Sequence, residues 1–422
     1  MKKTSILYPF VAIALCAFTF GCQSEKTSES VIDLEATARE PKPFTQSDLP
    51  GTVSFIPLET TDSSLIGMSA NIQVSANRIL VSSTNQPLLV FDKETGRFLN
   101  QIGQKGEGPE GYADDGFGNL FYWLDQQQEV VYLLGINGHS LLRYDLSGRF
   151  LGKTTLPEGT PKSPNLYSSY LFISNDTIIA HNKYISEDSI PSLICFSGTN
   201  GTVYWTVPAQ TPLLPSFSEI EESYYLYGGF LPYGGNLSTF NFRDRKTYSF
   251  STEAPTVWQN EGQTYFKEAF RDTIFRIQPD GTLAFHQELH LGARSWPFDR
   301  RTDADMPADW ITIDYILESP HLLYIHWHTG FYQPADRRKS FCTLYDKQTG
   351  TLRTNKGEQI NDEAQNLPPI AFQKKSTKGE WVGLLNAPDI VEWKAKHPQA
   401  QYPESLSNIG EEDNPVVVLL GI

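Results

Sequence analysis

The sequence predicts an all-β protein, a six-bladed β-propeller, on three observations. From Gly51 onward, β-branched runs are short, aromatic residues are abundant, and Gly and Pro recur as turn signals. A hairpin-like segment recurs along the chain, and no long helical periodicity occurs before the C-terminal region. These features indicate many short strands joined by tight turns, with a short helical insertion near the C-terminus.

The recurring segment is an apolar strand, a polar turn centred on Gly or Asp, and a second apolar strand. Five copies occur at 90–99, 142–151, 194–204, 274–283 and 343–352, and a sixth, at 240–250, lacks the glycine. Glycine accepts the positive φ that such a turn requires. Gly96, Gly148 and Gly201 lie 52 and 53 residues apart, a spacing suited to one four-stranded blade per repeat. The 372 residues of 51–422 divide better into six blades of about 62 residues than into seven or eight.

Residues 1–21 have the pattern of a lipoprotein signal peptide that ends before Cys22. Two lysines supply the positive start, Ile6 to Phe20 forms an apolar stretch, and Gly21 is the small residue before the cysteine. This stretch is shorter than the roughly 20 apolar residues that a transmembrane helix needs. We therefore expect cleavage before Cys22 and acylation of its thiol, with ordinary secretion as the alternative.

The mature chain then divides into two parts. The segment after Cys22 is polar and carries few large apolar residues, so we expect residues 22–50 to form a lipidated N-terminus and a flexible stalk. Residues 51–422 would form the propeller.

The charge of the mature chain excludes one class of partner. Without residues 1–21 the chain keeps 32 basic and 49 acidic residues, a formal charge of −17. Nucleic acid, which binds basic surfaces, is therefore not expected as a partner.

Two cysteines remain besides Cys22 after removal of the signal. Cys195 and Cys342 stand in similar strand-like contexts, SLICFSG and SFCTLYD, within well-separated repeats. We expect two buried free thiols, with a disulfide as the alternative in an exported protein.

The end of the chain predicts how the ring closes. Asn386 can cap a helix that runs to about Lys396, and another helical turn is expected near Leu406. The run 415–420 has the composition of a buried strand. We expect it to complete a blade with residues 53–58, which removes free sheet edges.

Four stretches together resemble a known family. They are Ile102-Gly-Gln-Lys-Gly-Glu-Gly-Pro-Glu-Gly-Tyr112, Val53-Ser-Phe-Ile-Pro-Leu-Glu-Thr-Thr61, Asp272-Thr-Ile-Phe-Arg-Ile277 and Asp413-Asn-Pro-Val-Val-Val-Leu-Leu420. The chain is similar over nearly all of its mature length to the six-bladed β-propeller lipoproteins of Gram-negative anaerobes, a fold related to NHL-repeat and TolB-like propellers. The resemblance implies a binding surface on a protein that is lipid-anchored to the outer membrane, periplasmic or surface-exposed.

Two segments are candidates for chemistry. His326 and His328 place two imidazoles on one face of a strand, with His321 nearby, but no further ligand of recognisable spacing accompanies them. We therefore expect buried strand histidines, and we predict no metal site, no cofactor and no catalytic residue.

The second candidate is a segment of tyrosines interleaved with glycines. It can present flat faces to a ligand, or its rings can pack between blades. The predicted ligand-contact residues are Tyr224, Tyr225, Tyr227, Phe230 and Tyr233.

These observations favour a membrane-tethered binding or scaffold module of the cell envelope. Its partner would be a glycan, a peptide or an envelope protein. The alternative is a lyase or hydrolase of carbohydrates or lactones with its site at the central channel, because propellers host both kinds of function.

Overall fold

The computed structural model describes most of residues 31–422. The segments outside the described residues are 68–69, 107, 113, 115–117, 119, 126, 137, 161–168, 183–184, 186–188, 210–212, 214–219, 225–236, 243–246, 252–255, 297–309, 331–338 and 363–366. The signal segment and Cys22 therefore also lie outside them. No helix among the described residues is long and apolar enough to cross a membrane.

Six four-stranded antiparallel blades form the ring, and the prediction of a six-bladed propeller is confirmed. Blade 1 comprises Asn71–Val74, Arg78–Ser82, Leu88–Asp92 and Phe98–Ile102. Blade 2 comprises Tyr122–Leu124, Val130–Leu134, Ser140–Asp145 and Phe150–Thr155. Blade 3 comprises Ser169–Ser174, Thr177–Asn182, Leu193–Ser197 and Val203–Val207.

The second half of the ring has the same architecture. Blade 4 comprises Val257–Asn260, Gln263–Lys267, Thr273–Ile277 and Leu283–His290. Blade 5 comprises Thr312–Glu318, Leu322–Thr329, Lys339–Asp346 and Leu352–Lys356. Blade 6 comprises Phe372–Lys375, Trp381–Leu385, Val416–Gly421 and, from the start of the chain, Thr52–Pro57. Smaller strand pairs are Gln104–Lys105 with Gly111–Tyr112, and Ile360–Asp362 with Leu367–Ile370.

Apolar residues on both faces of the blades hold the ring together. Buried side chains form a separate cluster at each of the six interfaces between neighbouring blades. At the interface of blades 4 and 5, for example, Trp258 and Ile274 pack with Trp327. Each blade can bury its two faces only against its neighbours, so the core is a ring of interfaces.

The repeated hairpin joins the third and fourth strands of blades 1 to 5. In blade 1, Asp92 Oδ1 accepts hydrogen bonds from the backbone N–H groups of Glu94 and Thr95, which fixes the turn. Gly96 follows with φ 71°, and a Cβ there would lie 1.9 Å from the carbonyl oxygen of Pro57 in blade 6. Glycine is therefore required both by the left-handed backbone and by the close approach of the preceding blade.

The N-terminal and C-terminal strands close the ring within blade 6. Val53 lies opposite Leu420 and Phe55 opposite Val418 in antiparallel register. The predicted closure is thereby confirmed. The predicted helical insertion is also present, as Ala387–Lys396 between the second and third strands of this blade, followed by a 3-10 turn, Glu404–Leu406.

The sixth hairpin of the sequence does not belong to a blade. It supplies two strands of a separate sheet made of Ile220–Tyr224, Leu237–Phe242 and Thr247–Ser251. Blades 3 and 4 contact each other directly, since Ser174 Oγ lies 3.4 Å from Gln259 Oε1. The inserted sheet therefore does not enlarge the ring; an alternating strand pattern specifies a hairpin but not the sheet that it joins.

The flexible stalk predicted for residues 22–50 is wrong for residues 31–50. Val31–Asp33 adds a fifth, parallel strand to the outer edge of blade 4, and the helix Leu34–Arg39 follows it. The segment then passes blade 5 and forms a 3-10 turn, Gln46–Asp48, before it enters blade 6. Ile32, Leu34, Phe44 and Leu49 are buried. These few well-spaced apolar side chains hold an otherwise polar segment against the ring.

Candidate functional site

The two faces of the ring differ in their connections. The first strand of each blade is the innermost one. Because neighbouring strands are antiparallel, the links between blades and the links between second and third strands lie on the same side of the ring. We call this side the loop face. The inserted sheet and the helix Ala387–Lys396 belong to loop-face connections. The opposite side, which we call the turn face, carries the tight turns.

A lysine side chain ties the blades together near the axis on the turn face. Lys375 Nζ donates hydrogen bonds to the carbonyl oxygen of Glu318 at 2.7 Å, to that of Gln259 at 3.3 Å and to Asn260 Oδ1 at 3.3 Å. The ends of the first strands of blades 4, 5 and 6 thus converge on one ammonium group. Burial lowers the pKa of Lys375, although the nearby Glu318 carboxylate acts against this shift.

The loop face carries a cleft between blades 4 and 5. The cleft is small: its volume is about 20 Å³, room for about one water molecule. The lining residues are Lys267, Phe270, Arg271, Asp272, Leu291, Trp296, Ile311, Thr312 and Ile313. They come from the link between the second and third strands of blade 4 and from the connection into blade 5.

Aromatic rings form one wall of this cleft. Phe270 meets Trp296 edge-to-face, with 4.7 Å between ring centroids, and Trp296 lies 5.8 Å from Trp310. Phe270 has a φ of 62°, which a residue with a side chain rarely adopts. Such backbone strain is concentrated at binding and catalytic sites, where the surroundings hold it in place.

Polar groups complete the lining. Lys267 is only 2% exposed, and Asp272 accepts a hydrogen bond from Ser295 Oγ at 2.8 Å. Burial raises the pKa of Asp272, while the Ser295 hydrogen bond and the Lys267 charge act in the opposite direction. Thr312 is buried, and its hydroxyl oxygen has no hydrogen-bond partner within the described part of the chain. A buried polar atom of this kind is costly unless a water or a ligand satisfies it.

The predicted histidine pair forms a buried cluster with an aspartate. His326 Nδ1 lies 2.7 Å from Asp314 Oδ2, and His328 Nδ1 lies 2.8 Å from Asp314 Oδ1. All three side chains are buried, and His326 stacks on Tyr315 at 4.9 Å. Burial alone would raise the pKa of Asp314, but the two imidazoles hold it well below its usual range. The ionised carboxylate therefore accepts an N–H from each ring at Nδ1.

Sequence reasoning found the two histidines but missed Asp314. A β-bulge between Ile313 and Tyr315 accompanies its placement opposite the imidazoles. The sequence feature that could have pointed to Asp314 is its position as an acidic residue in the middle of an apolar strand, Trp310-Ile-Thr-Ile-Asp-Tyr-Ile-Leu317. In the part of the chain that the structure describes, no group of three or more His, Cys, Asp or Glu is arranged to hold a metal ion.

The structure describes only some of the other residues that the sequence predicted as functional. Tyr224 ends the first strand of the inserted sheet, and Tyr225, Tyr227, Phe230 and Tyr233 lie outside the described residues. The lipidation residue Cys22 also lies outside them. The free thiols are confirmed, since Cys195 in blade 3 and Cys342 in blade 5 are unpaired and buried. The residues lining the cleft were not predicted as a site, because they come together only when blades 4 and 5 pack.

Comparison with solved structures confirms the fold. One similar structure is that of a protein from Bacteroides fragilis NCTC 9343, which is provisionally named an exported protein. The TM-score is 0.57 and the identity is 15%, and the match covers 90% of this chain and 97% of that one. A member of the DUF4221 family from Bacteroides vulgatus ATCC 8482 is similar with a TM-score of 0.51 and 10% identity, over 88% of this chain and 96% of that one. At such identities the likeness extends to the fold alone.

Comparison with curated proteins gives no match. A family model, by contrast, matches residues 29–421, nearly the whole length from the N-terminal segment to the last strand of blade 6. This protein therefore belongs to the DUF4934 family, a domain of unknown function.

Proposed function

We propose that this protein is a lipid-anchored binding module of the cell envelope that binds a glycan at the mouth of the cleft between blades 4 and 5. The observation that carries this proposal is the buried, unpartnered hydroxyl of Thr312 in the lining of a cleft with an aromatic wall. A single ligand hydroxyl that reaches into the cleft would satisfy it.

The chemistry of the lining favours a sugar over an apolar ligand. Phe270 and Trp296 offer ring surface to the C–H groups of a sugar, while Lys267, Asp272 and Thr312 offer donors and acceptors to its hydroxyls. The charged side chains at the cleft are balanced: Lys267 and Arg271 are cationic, and Asp272 and Glu268 are anionic. Arg271 Nε lies 3.0 Å from Glu268 Oε2. The balance of charge suits a neutral or weakly charged ligand.

The envelope location rests on the N-terminal pattern that ends at Cys22 and on the name of the similar Bacteroides fragilis protein. In this proposal acylated Cys22 tethers the ring to the outer membrane. The predicted aromatic contacts, Tyr224, Tyr225, Tyr227, Phe230 and Tyr233, remain candidates for further contact with the ligand.

The test is a binding screen of the 23–422 fragment against envelope glycans and peptides, followed by calorimetry with the best ligand. Thr312→Val should weaken binding by about 5- to 20-fold, because one hydrogen bond is lost without a change of shape. Tyr204→Ala is the matched control, since Tyr204 lies on the outer strand of blade 3 and is 57% exposed. Binding of peptides only, or a Thr312→Val variant that binds a glycan with unchanged affinity, would contradict the glycan proposal.

The aromatic segment needs its own variant. Tyr225→Ala combined with Tyr227→Ala should weaken binding by roughly 10-fold if both rings stack on the ligand. Unchanged affinity would assign these rings to packing.

One observation favours the alternative, an enzyme. Asp314 holds the Nδ1–H of His326, so the opposite nitrogen, Nε2, is the basic atom of that ring, and it is buried without a hydrogen-bond partner among the described residues. A base oriented in this way suits proton abstraction in a lyase or hydrolase. Turnover of carbohydrates or lactones that His326→Gln abolishes, with ligand binding retained, would move the assignment to this alternative.

A further inference from the structure

We propose that the ammonium group of Lys374 and the side-chain amide of Asn71 form a binding site for a carboxylate, next to the axis of the ring between blades 6 and 1. This site is separate from the cleft between blades 4 and 5. It adds a second class of ligand, a small organic acid, to the proposed glycan.

The innermost strands of two neighbouring blades bring the two side chains together. Lys374 belongs to Phe372–Lys375, the first strand of blade 6, and Asn71 begins Asn71–Val74, the first strand of blade 1. First strands are innermost, so both residues border the axis. Lys374 Nζ donates a hydrogen bond to Asn71 Oδ1 across the blade interface. Both residues are partly exposed, so a small solute can reach them.

Lys374 has no counter-ion in the part of the chain that the structure describes. Its one hydrogen-bond acceptor there is Asn71 Oδ1, although an ammonium group carries three N–H donors. Glu380 also lies between blades 6 and 1, but its carboxylate is paired with Lys93 at 2.5 Å. A positive charge that is largely surrounded by protein and has no anion beside it is costly. An anionic ligand would remove that cost.

The adjacent lysine shows that the ring can satisfy such a group. Lys375 Nζ donates three hydrogen bonds, to the carbonyl oxygens of Glu318 and Gln259 and to Asn260 Oδ1. All the donors of Lys375 are therefore used within the protein. The open donors of Lys374 are a particular feature of the interface between blades 6 and 1.

Asn71 contributes a further donor. Its Oδ1 accepts the hydrogen bond from Lys374, so its Nδ2 is left to donate, and Nδ2 has no acceptor among the described residues. The backbone of Asn71 is held in place, because the hydroxyl of Tyr122 donates to its carbonyl oxygen at 2.9 Å. The site thus offers N–H groups from two side chains and no free acceptor, which is the chemistry of an anion site.

The charge of the site favours a carboxylate over a phosphate. One uncompensated ammonium group matches one negative charge, and the two oxygens of a carboxylate can accept from Lys374 and from Asn71 at once. A phosphate dianion would bring a second negative charge without a partner. The formal charge of −17 on the mature chain also repels multiply charged anions.

The test is a ligand-observed NMR titration of the 23–422 fragment at pH 7 and constant ionic strength. The probes are acetate and glucuronate, and the controls are their neutral isosteres, acetamide and glucuronamide. Each carboxylate should bind at least about 10-fold more tightly than its amide, because only the carboxylate neutralises Lys374. Acetate tests the carboxylate alone, and tighter binding of glucuronate would identify an acidic sugar as its source.

Three variants assign the binding to this site. Lys374→Met should weaken acetate binding by at least about 10-fold, and Asn71→Ala by about 5-fold. Lys378→Met, which removes the same charge at an exposed position, is the matched control and should bind acetate like the wild type. Thermal melts verify that each variant is folded.

The pH dependence supplies a readout that a structural lysine would not give. Because burial lowers the pKa of Lys374 to about 8, acetate affinity should fall roughly 10-fold between pH 7 and pH 9. The other titratable groups around the site are Tyr122, whose pKa burial raises, the pair of Lys93 with Glu380, and Lys375, which is directed toward blades 4 and 5. Lys374→Arg stays charged throughout and should bind acetate without this fall.

Two results would overturn the carboxylate site: equal affinity for acetate and acetamide, or unchanged acetate affinity in folded Lys374→Met. If Lys374→Met does not fold, unchanged affinity in Asn71→Ala together with a flat pH profile of the wild type would overturn it instead. Thr312→Val should leave acetate binding unchanged, so failure of the glycan proposal and failure of this one are distinguishable.

Discussion

The Nδ1 atom of His326 lies 2.7 Å from Oδ2 of Asp314, on the innermost two strands of blade 5. The other oxygen of the same carboxylate binds His328, so one buried anion orients two imidazoles. Because the pKa of Asp314 is lowered in the folded protein, its stabilising contribution is present at neutral pH. That contribution is lost as the pH falls below the usual range of a carboxyl group.

The first prediction is that Asp314→Asn lowers the free energy of unfolding by about 2–4 kcal/mol at pH 7. An amide offers one acceptor oxygen, and its NH₂ group would face the N–H of an imidazole. Urea unfolding followed by circular dichroism measures the change. Asp389→Asn, at an exposed position of the C-terminal helix, is the control and should change little. Equal effects of the two substitutions would mean that the cluster contributes no more than a surface carboxylate.

The second prediction concerns Lys374, which hydrogen-bonds Asn71 between blades 6 and 1. Burial lowers its pKa to about 8, whereas an unfolded lysine titrates near 10.4. Between these values the unfolded chain binds more protons, so this residue makes stability rise as the pH rises.

Relative to Lys374→Met, the wild-type protein should therefore gain on the order of 1–3 kcal/mol between pH 7 and pH 10. Urea unfolding at each pH unit measures it. Lys378→Met, at an exposed lysine, should show no such trend. Parallel stability curves for the wild type and Lys374→Met would refute the shift.

The third prediction tests the packed N-terminal segment. Ile32→Ala should destabilise the protein by about 2–4 kcal/mol, since Ile32 is fully buried against blades 4 and 5. Its neighbour Val31 is 43% exposed, and Val31→Ala should cost less than about 0.5 kcal/mol. Thermal melts of the 23–422 fragment compare the two variants. Similar melting temperatures would show that this segment is a loosely attached stalk and not part of the packed ring.

The fourth prediction tests ring closure. Deletion of residues 415–422 removes the third strand of blade 6, exposes its apolar faces and leaves Thr52–Pro57 without its partner. The truncated protein should aggregate or lose its cooperative melt, as light scattering and calorimetry will detect. A soluble truncation with unchanged stability would show that the strand does not complete the ring.

The fifth prediction concerns the thiols. Burial raises the pKa of both Cys195 and Cys342 to about 12, so neither should react with Ellman's reagent in the native 23–422 fragment. Both should react within minutes in 6 M guanidinium chloride, since about that concentration unfolds even very stable domains. Rapid reaction of either thiol in the native fragment would contradict this prediction, because it would show that the thiol is accessible.

Several features of this protein followed from local sequence. The turns at Gly96 and Gly148, the C-terminal helix and the pairing of 53–58 with 415–420 were predicted, because hairpins, caps and buried strands depend on neighbouring residues. The number of blades followed from the spacing of these turns.

Other features were decided only by packing. The hairpin at 240–250 has the same alternation as the blade hairpins, yet it joins a separate sheet, because register within a hairpin does not determine its neighbours. Asp314 binds His326 beside a β-bulge. Thr312 and Lys267 line one cleft only because blades 4 and 5 pack together.

The sequence by itself thus determined the strands, their turns and the number of blades, since these depend on residues close together in the chain. Only the tertiary structure decided the course of residues 31–49, the buried carboxylate and the cleft. Each of these joins side chains from distant segments, and their energies depend on burial and partners that no local pattern specifies.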